Sequence, residues 1–110
     1  MRMGRSAMNN ENLENGFLDV AGYRIAYTRQ GHGSAIALVH GIPTSRHLWR
    51  NVMPLLAASG HEVLAIDLLG YGDSDKPSDA DLGIQAQSEI IFQALSALGC
   101  KRATIVGHDI

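Results

Sequence analysis

The chain has little that would tie it to a metal, a membrane or a nucleic acid. Cys100 is the single cysteine in 110 residues, which excludes an intrachain disulfide and an all-cysteine metal site. One thiol fits a reducing compartment, so the expected location is cytoplasmic. Cys100 follows Gly99 with no activating motif around it and reads as a bystander, not a nucleophile. The formal charge is -2 and Lys and Arg form no cluster, which leaves no electrostatic footprint for nucleic acid. No apolar run approaches the ~20 residues that span a bilayer. The opening M-R-M-G-R-S-A-M-N-N-E-N-L-E-N lacks the apolar stretch of a secretory signal. Residues 1–15 therefore read as a disordered tail, with Met3 and Met8 as alternative starts.

What remains is enough for one modest core, since 45% of residues are hydrophobic and 18% charged, a globular balance. From Gly16 the pattern becomes periodic. F-L-D-V and Y-R-I-A-Y-T, separated by Ala21-Gly22, read as two strands across a tight turn. Tyr23, Ile25 and Tyr27 share one face of the second strand, and Arg24, Ala26 and Thr28 the other. Three later runs, 35–40, 63–66 and 103–106, are apolar without alternation, as in strands buried on both faces of a parallel sheet.

Between those runs the spacing changes to that of helices. Leu48, Val52, Leu55 and Leu56 predict one helical face, with Gly60 as the stop. Pro54 lacks an N–H, so a short first turn and then a helix beginning near the proline are expected. A second helix is predicted over 83–98, with Ile84, Ile91, Leu95 and Leu98 as its stripe and Gly99 behind it. Strand–helix–strand–helix–strand implies right-handed crossovers and a mostly parallel sheet, with the front hairpin adding antiparallel strands at one edge. In such α/β sheets function collects at the carboxyl ends of the strands.

Three strand ends carry candidate residues. V-H-G-I-P-T-S places His40 and Gly41 at a turn that Pro43 then fixes, which frees the Ile42 amide to face a cleft. D-L-L-G-Y-G-D-S-D-K-P contains Gly70-x-Gly72, but Asp75 stands where a dinucleotide fingerprint needs its third glycine, and no helix starts behind Gly72. Asp67, Ser74 and Asp75 are expected to bond their own loop's backbone. V-G-H-D puts Gly107, His108 and Asp109 where a nucleophile elbow, G-x-S-x-G on a strand-to-helix turn, has its first glycine, its variable residue and its nucleophile.

Together, H-G-I-P-T-S-R-H-L-W-R-N, D-L-L-G-Y-G-D-S-D-K-P and V-G-H-D make the chain from about Gly16 onward resemble the N-terminal part of α/β-hydrolases. The resemblance is to the branch with an aspartate nucleophile, which includes epoxide hydrolases and haloalkane dehalogenases. It implies that Asp109 attacks an electrophilic carbon as a carboxylate, already ionised at neutral pH. A histidine-activated water would then hydrolyse the alkyl ester, with the Ile42 and Ile110 amides holding the oxyanion. Many haloalkane dehalogenases carry a halide-binding Asn and a Trp at the positions of Ile42 and Ile110. Isoleucine offers no side-chain donor at either, which favours an epoxide over a haloalkane as substrate. Trp49 is expected to pack in the core.

By the same resemblance, the activating histidine, its acidic partner and the lid come later than residue 110. None of His32, His40, His47, His61 and His108 is assigned as the base. The expected domain is thus a partial α/β-hydrolase core over 16–110, cut at the elbow, needing no cofactor or metal. Its expected partner is a small-molecule substrate, with neither nucleic acid nor membrane. The last strand should have an open edge through which chains could self-associate. The alternative is a non-catalytic or degenerate fragment serving as a partner-binding piece.

Overall fold

The computed structural model describes residues 13–108. Five strands form one mixed sheet: β1 Glu14–Val20, β2 Tyr23–Gln30, β3 Ser34–Val39, β4 His61–Ile66 and β5 Ala103–Gly107, in the order β1-β2-β4-β3-β5. β1 and β2 are an antiparallel hairpin. β2 runs antiparallel to β4, while β3 is parallel to both β4 and β5. The expected parallel sheet with an antiparallel front edge is therefore present. β1 begins two residues ahead of Gly16, and residues 1–12 of the expected tail lie outside the described part. The hairpin turns through Ala21 and Gly22, both at positive φ (52° and 86°), the geometry whose twist matches the flanking strands.

The apolar runs at β3 and β4 arise because both faces of these strands are covered. Ala37, Leu64 and Ile66 enter one cluster, with Ile25, Tyr27 and Leu95. Leu38, Val63 and Ala65 enter a second, with Trp49 and Met53. β5 departs from the expectation of two buried faces. It pairs only with β3 among the described residues, and Ile105 and Val106 are 54% and 39% exposed.

The segment around Pro54 divides as its chemistry demands. A 3-10 turn, Arg46–Trp49, precedes helix α1, Met53–Ala58, with the proline in its first turn. The inward face matches the expected one in part. Leu48 and Leu56 pack against the cluster that buries Trp49 and Met53, while Val52 and Leu55 are exposed. Helix α2, Ile84–Ala97, buries Gln87, Ile90, Ala94 and Leu95, followed by Leu98 just past its end. Ile84, expected on that stripe, is 89% exposed. Among the described residues no helix is long and apolar enough to cross a membrane.

Candidate active site

The sheet register brings the three motif ends level. Val39 pairs with Ile66 on one side and with Gly107 on the other. His40, Asp67 and His108 are consequently the first residues beyond three neighbouring strand ends. His108 extends the ladder by one bond, its N–H donating to the Val39 carbonyl at 3.0 Å. Its ring meets Trp49 edge to face, 6.3 Å between centroids, and Trp49 packs in the core as expected. Gly107 ends β5, and a Cβ there would meet nothing within 4 Å. Asp109 and Ile110, the expected nucleophile and second oxyanion donor, lie outside the described residues.

The loop after β3 is held by one oxygen. The Gly41 carbonyl accepts from Thr44 N–H at 3.1 Å, from Thr44 Oγ1 at 2.7 Å and from His40 Nδ1 at 2.8 Å. The reversal expected at Gly41 is carried by the Ile42–Pro43 peptide, which is cis, and not by a left-handed glycine. Pro43 is exposed and Ile42 half-buried. No acceptor among the described residues takes the Ile42 N–H, which leaves that donor available to a ligand.

Two side chains tie this loop to the one after β4. His40, 2% exposed, accepts from the Leu68 N–H at Nε2, 2.9 Å away. Asp67 has no exposed surface. Its Oδ1 accepts from the Arg46 N–H at 2.6 Å, and its Oδ2 from the Asp73 N–H at 2.8 Å and from the Arg46 guanidinium. A buried carboxylate is tolerable only when its charge and lone pairs are met in this way. Arg46 also donates through Nε to Thr28 Oγ1 at 2.8 Å, which anchors the assembly on β2, and its Nη1 reaches Asp73 Oδ2 at 3.2 Å. Gly72, at φ +56°, lies where any Cβ would run into the Asp67 carboxyl group.

The glycine loop is a brace more than a binding loop. Ser74 Oγ accepts from the Ala26 N–H at 2.9 Å and donates to the Asp67 carbonyl at 2.7 Å. Asp75 and Arg24 exchange two bonds of 2.8 Å, Arg24 N–H to Asp75 Oδ2 and Asp75 N–H to the Arg24 carbonyl. Ser74 and Asp75 were expected to bond their own loop; Asp75 instead grips β2, and Ser74 bridges β2 to the loop. On the other flank Gln87 of α2 takes both main-chain groups of Leu69, accepting from its N–H at 3.1 Å and donating to its carbonyl at 2.8 Å.

Sequence reasoning missed Arg46 and Gln87. A polar residue at the 87–90–94 spacing was the available signal for Gln87, since glutamine on an apolar stripe needs a buried partner. Nothing local marks Arg46, whose side-chain partners are 18, 21 and 27 positions away. Of the five histidines, His40 and His108 lie at strand ends of the site, as the motif turns implied, and His32, His47 and His61 lie elsewhere.

Residues 35–110 match the family profile described as alpha/beta hydrolase fold. Bifunctional epoxide hydrolase 2 of Rattus norvegicus is 38% identical over 99 residues, which cover 88% of this chain and 18% of that protein. A haloalkane dehalogenase of Sphingobium indicum is 42% identical over 100 residues, covering 87% of this chain and 33% of that protein. The structure of an epoxide hydrolase from an endophytic Streptomyces superposes with a TM-score of 0.83 at 40% identity, over 90% of this chain and 30% of that one. The chain thus spans a third or less of the length of these relatives.

Proposed function

The chain belongs to the alpha/beta hydrolase fold family, and from that membership we propose that it supplies the nucleophile and both oxyanion-holding amides of an epoxide-opening hydrolase. The observation that carries this reading is the level register of Val39 with Ile66 and Gly107. With His40, Asp67 and His108 each the first residue beyond one of three neighbouring strand ends, that register supports a site assembled there, with the Ile42 N–H left uncommitted in the loop after β3.

In the proposed reaction an Asp109 carboxylate oxygen bonds to an epoxide carbon while the ring C–O bond breaks. The ring oxygen takes a proton from an acid that this segment does not supply. Water then adds to the Asp109 ester carbonyl and gives its proton to a histidine from the part of the fold beyond residue 110. The oxyanion is held by the Ile42 and Ile110 amides until it collapses. The departing alkoxide takes the proton from that histidine to leave as the diol, and the acid formed at Asp109 loses its own proton to restore the carboxylate. Ile42 and Ile110 offer no side-chain donor to a departing halide. This supports an epoxide over a haloalkane, although relatives of both kinds match. Met1–Ile110 alone, without base and lid, turns over no epoxide, and no cofactor enters the reaction.

The test is one turnover of styrene oxide by the native gene product in oxygen-18 water. Peptide mass spectrometry is expected to find the label in the Asp109 carboxylate, and Asp109→Asn to form no ester. Label in the diol alone would point to direct attack by water and overturn the reading.

A further inference from the structure

Resting on that reading and deepening it, we propose that Asp67 and Arg46 are a positioning pair that sets the Ile42 amide for ester hydrolysis and leaves ester formation untouched. Neither side chain is assigned a contact with the reacting atoms; both act through the 41–45 turn. That turn is stiffened internally by the three bonds on the Gly41 carbonyl. It is gripped at its start by His40 on Leu68 and at its end by Asp67 Oδ1 on the Arg46 N–H. A stiff loop fixed at both ends has its middle amide placed by those ends.

The grip is referenced to the sheet. The Arg46 guanidinium reaches Thr28 on β2, and Asp67 is the first residue after β4. Asp67 has no slack, because it is fully buried and its carboxyl group lies so close to Gly72 that no Cβ fits between them. Loss of its charge would leave the Arg46 guanidinium, itself mostly buried, without its closest counter-ion, and the Arg46 backbone would shift with it.

The two chemical steps feel such a shift differently. During ester formation the carboxylate loses negative charge, so a donor amide contributes little to that transition state. Negative charge gathers on the Asp109 carbonyl oxygen only when water adds, and only then does the amide position matter.

The experiment follows both steps in the native gene product with styrene oxide, using rapid quench and intact-protein mass. In Asp67→Asn, ester hydrolysis is expected to slow about 100-fold while ester formation stays within about threefold of the parent, so that the ester accumulates and kcat and KM fall together. Arg46→Lys keeps the charge and the backbone donor, and recovers ester hydrolysis to within about tenfold of the parent. Equal slowing of both steps alongside a lower folded fraction would reduce the pair to a fold-stabilising contact, and unchanged ester hydrolysis would remove it altogether. If the parent protein forms no ester, the reading of Asp109 fails separately. The pair is then judged on the Ile42 amide by nitrogen-15 relaxation. Its order parameter is expected to fall from about 0.85 to below about 0.6 in Asp67→Asn with the Val39 and Ile66 amides unchanged, and an unaltered Ile42 would overturn the proposal.

Discussion

Leu68 donates its backbone N–H to Nε2 of His40 over 2.9 Å, so a side chain on one strand end carries the main chain of the next. The other ring nitrogen faces the Gly41 carbonyl at 2.8 Å. One nitrogen accepting and the other donating fixes the neutral tautomer with its proton on Nδ1. His40→Phe keeps a ring but leaves the buried Leu68 N–H unpaired, at an expected cost of about 2 kcal/mol. The urea midpoint measures it, and an unshifted midpoint would show that the bond contributes nothing net.

Gly72→Ala is expected to cost about 3 kcal/mol, because a Cβ at positive φ is strained and would also displace the buried Asp67 carboxylate from Arg46. The double variant Gly72→Ala/Asp67→Asn separates the two causes. If displacement of Asp67 dominates, the double variant is less destabilised than the sum of the single ones. Simple additivity would assign the cost to backbone strain.

The Cys100 thiol is pushed up mainly by burial and then by the charge of Glu62, whose Oε1 lies 3.8 Å from Sγ. Arg29 opposes the shift but is engaged with Glu62 at 2.7 Å. A raised pKa means less thiolate at a given pH, so alkylation by iodoacetamide at about pH 8 should be slower than for free cysteine and should climb as pH rises. Glu62→Gln removes the negative charge and releases Arg29, both of which lower the thiol pKa, so this variant should react faster. A slower reaction would reverse the assigned role of Glu62.

Among the described residues β5 pairs on one edge only and carries two exposed apolar side chains. The polypeptide Met1–Ile110 is expected to self-associate through it, with sedimentation velocity showing species larger than one chain. A charge on an edge strand opposes pairing, so Ile105→Lys should shift the distribution toward monomer. An Ile105→Lys distribution identical to the parent's would place the contact elsewhere.

The turns after β3 and β4, and the parallel sheet with its antiparallel front hairpin, were legible because both turns follow apolar runs that are covered on both faces of the sheet. The helical faces were less legible. Leu55 and Ile84 look like core residues by spacing, yet they are 69% and 89% exposed, since periodicity reports an apolar face without naming its cover. The true stripe of α2 includes Gln87, which hydropathy counts as polar although both ends of its amide are matched by Leu69. Asp67 was visible as a loop carboxylate, but its dependence on Arg46 was not, because that pairing exists only after the sheet has formed.

The stitching of the glycine loop to β2 also sets an order in time. Ser74 and Asp75 reach Ala26 and Arg24 across 48 and 51 positions of chain, and loops that long close late and against entropy. A chain leaving the ribosome amino end first has its hairpin waiting when residues 67–75 emerge. The hairpin thus serves as the template on which the loop is cast, and a defect there would appear first as slow maturation.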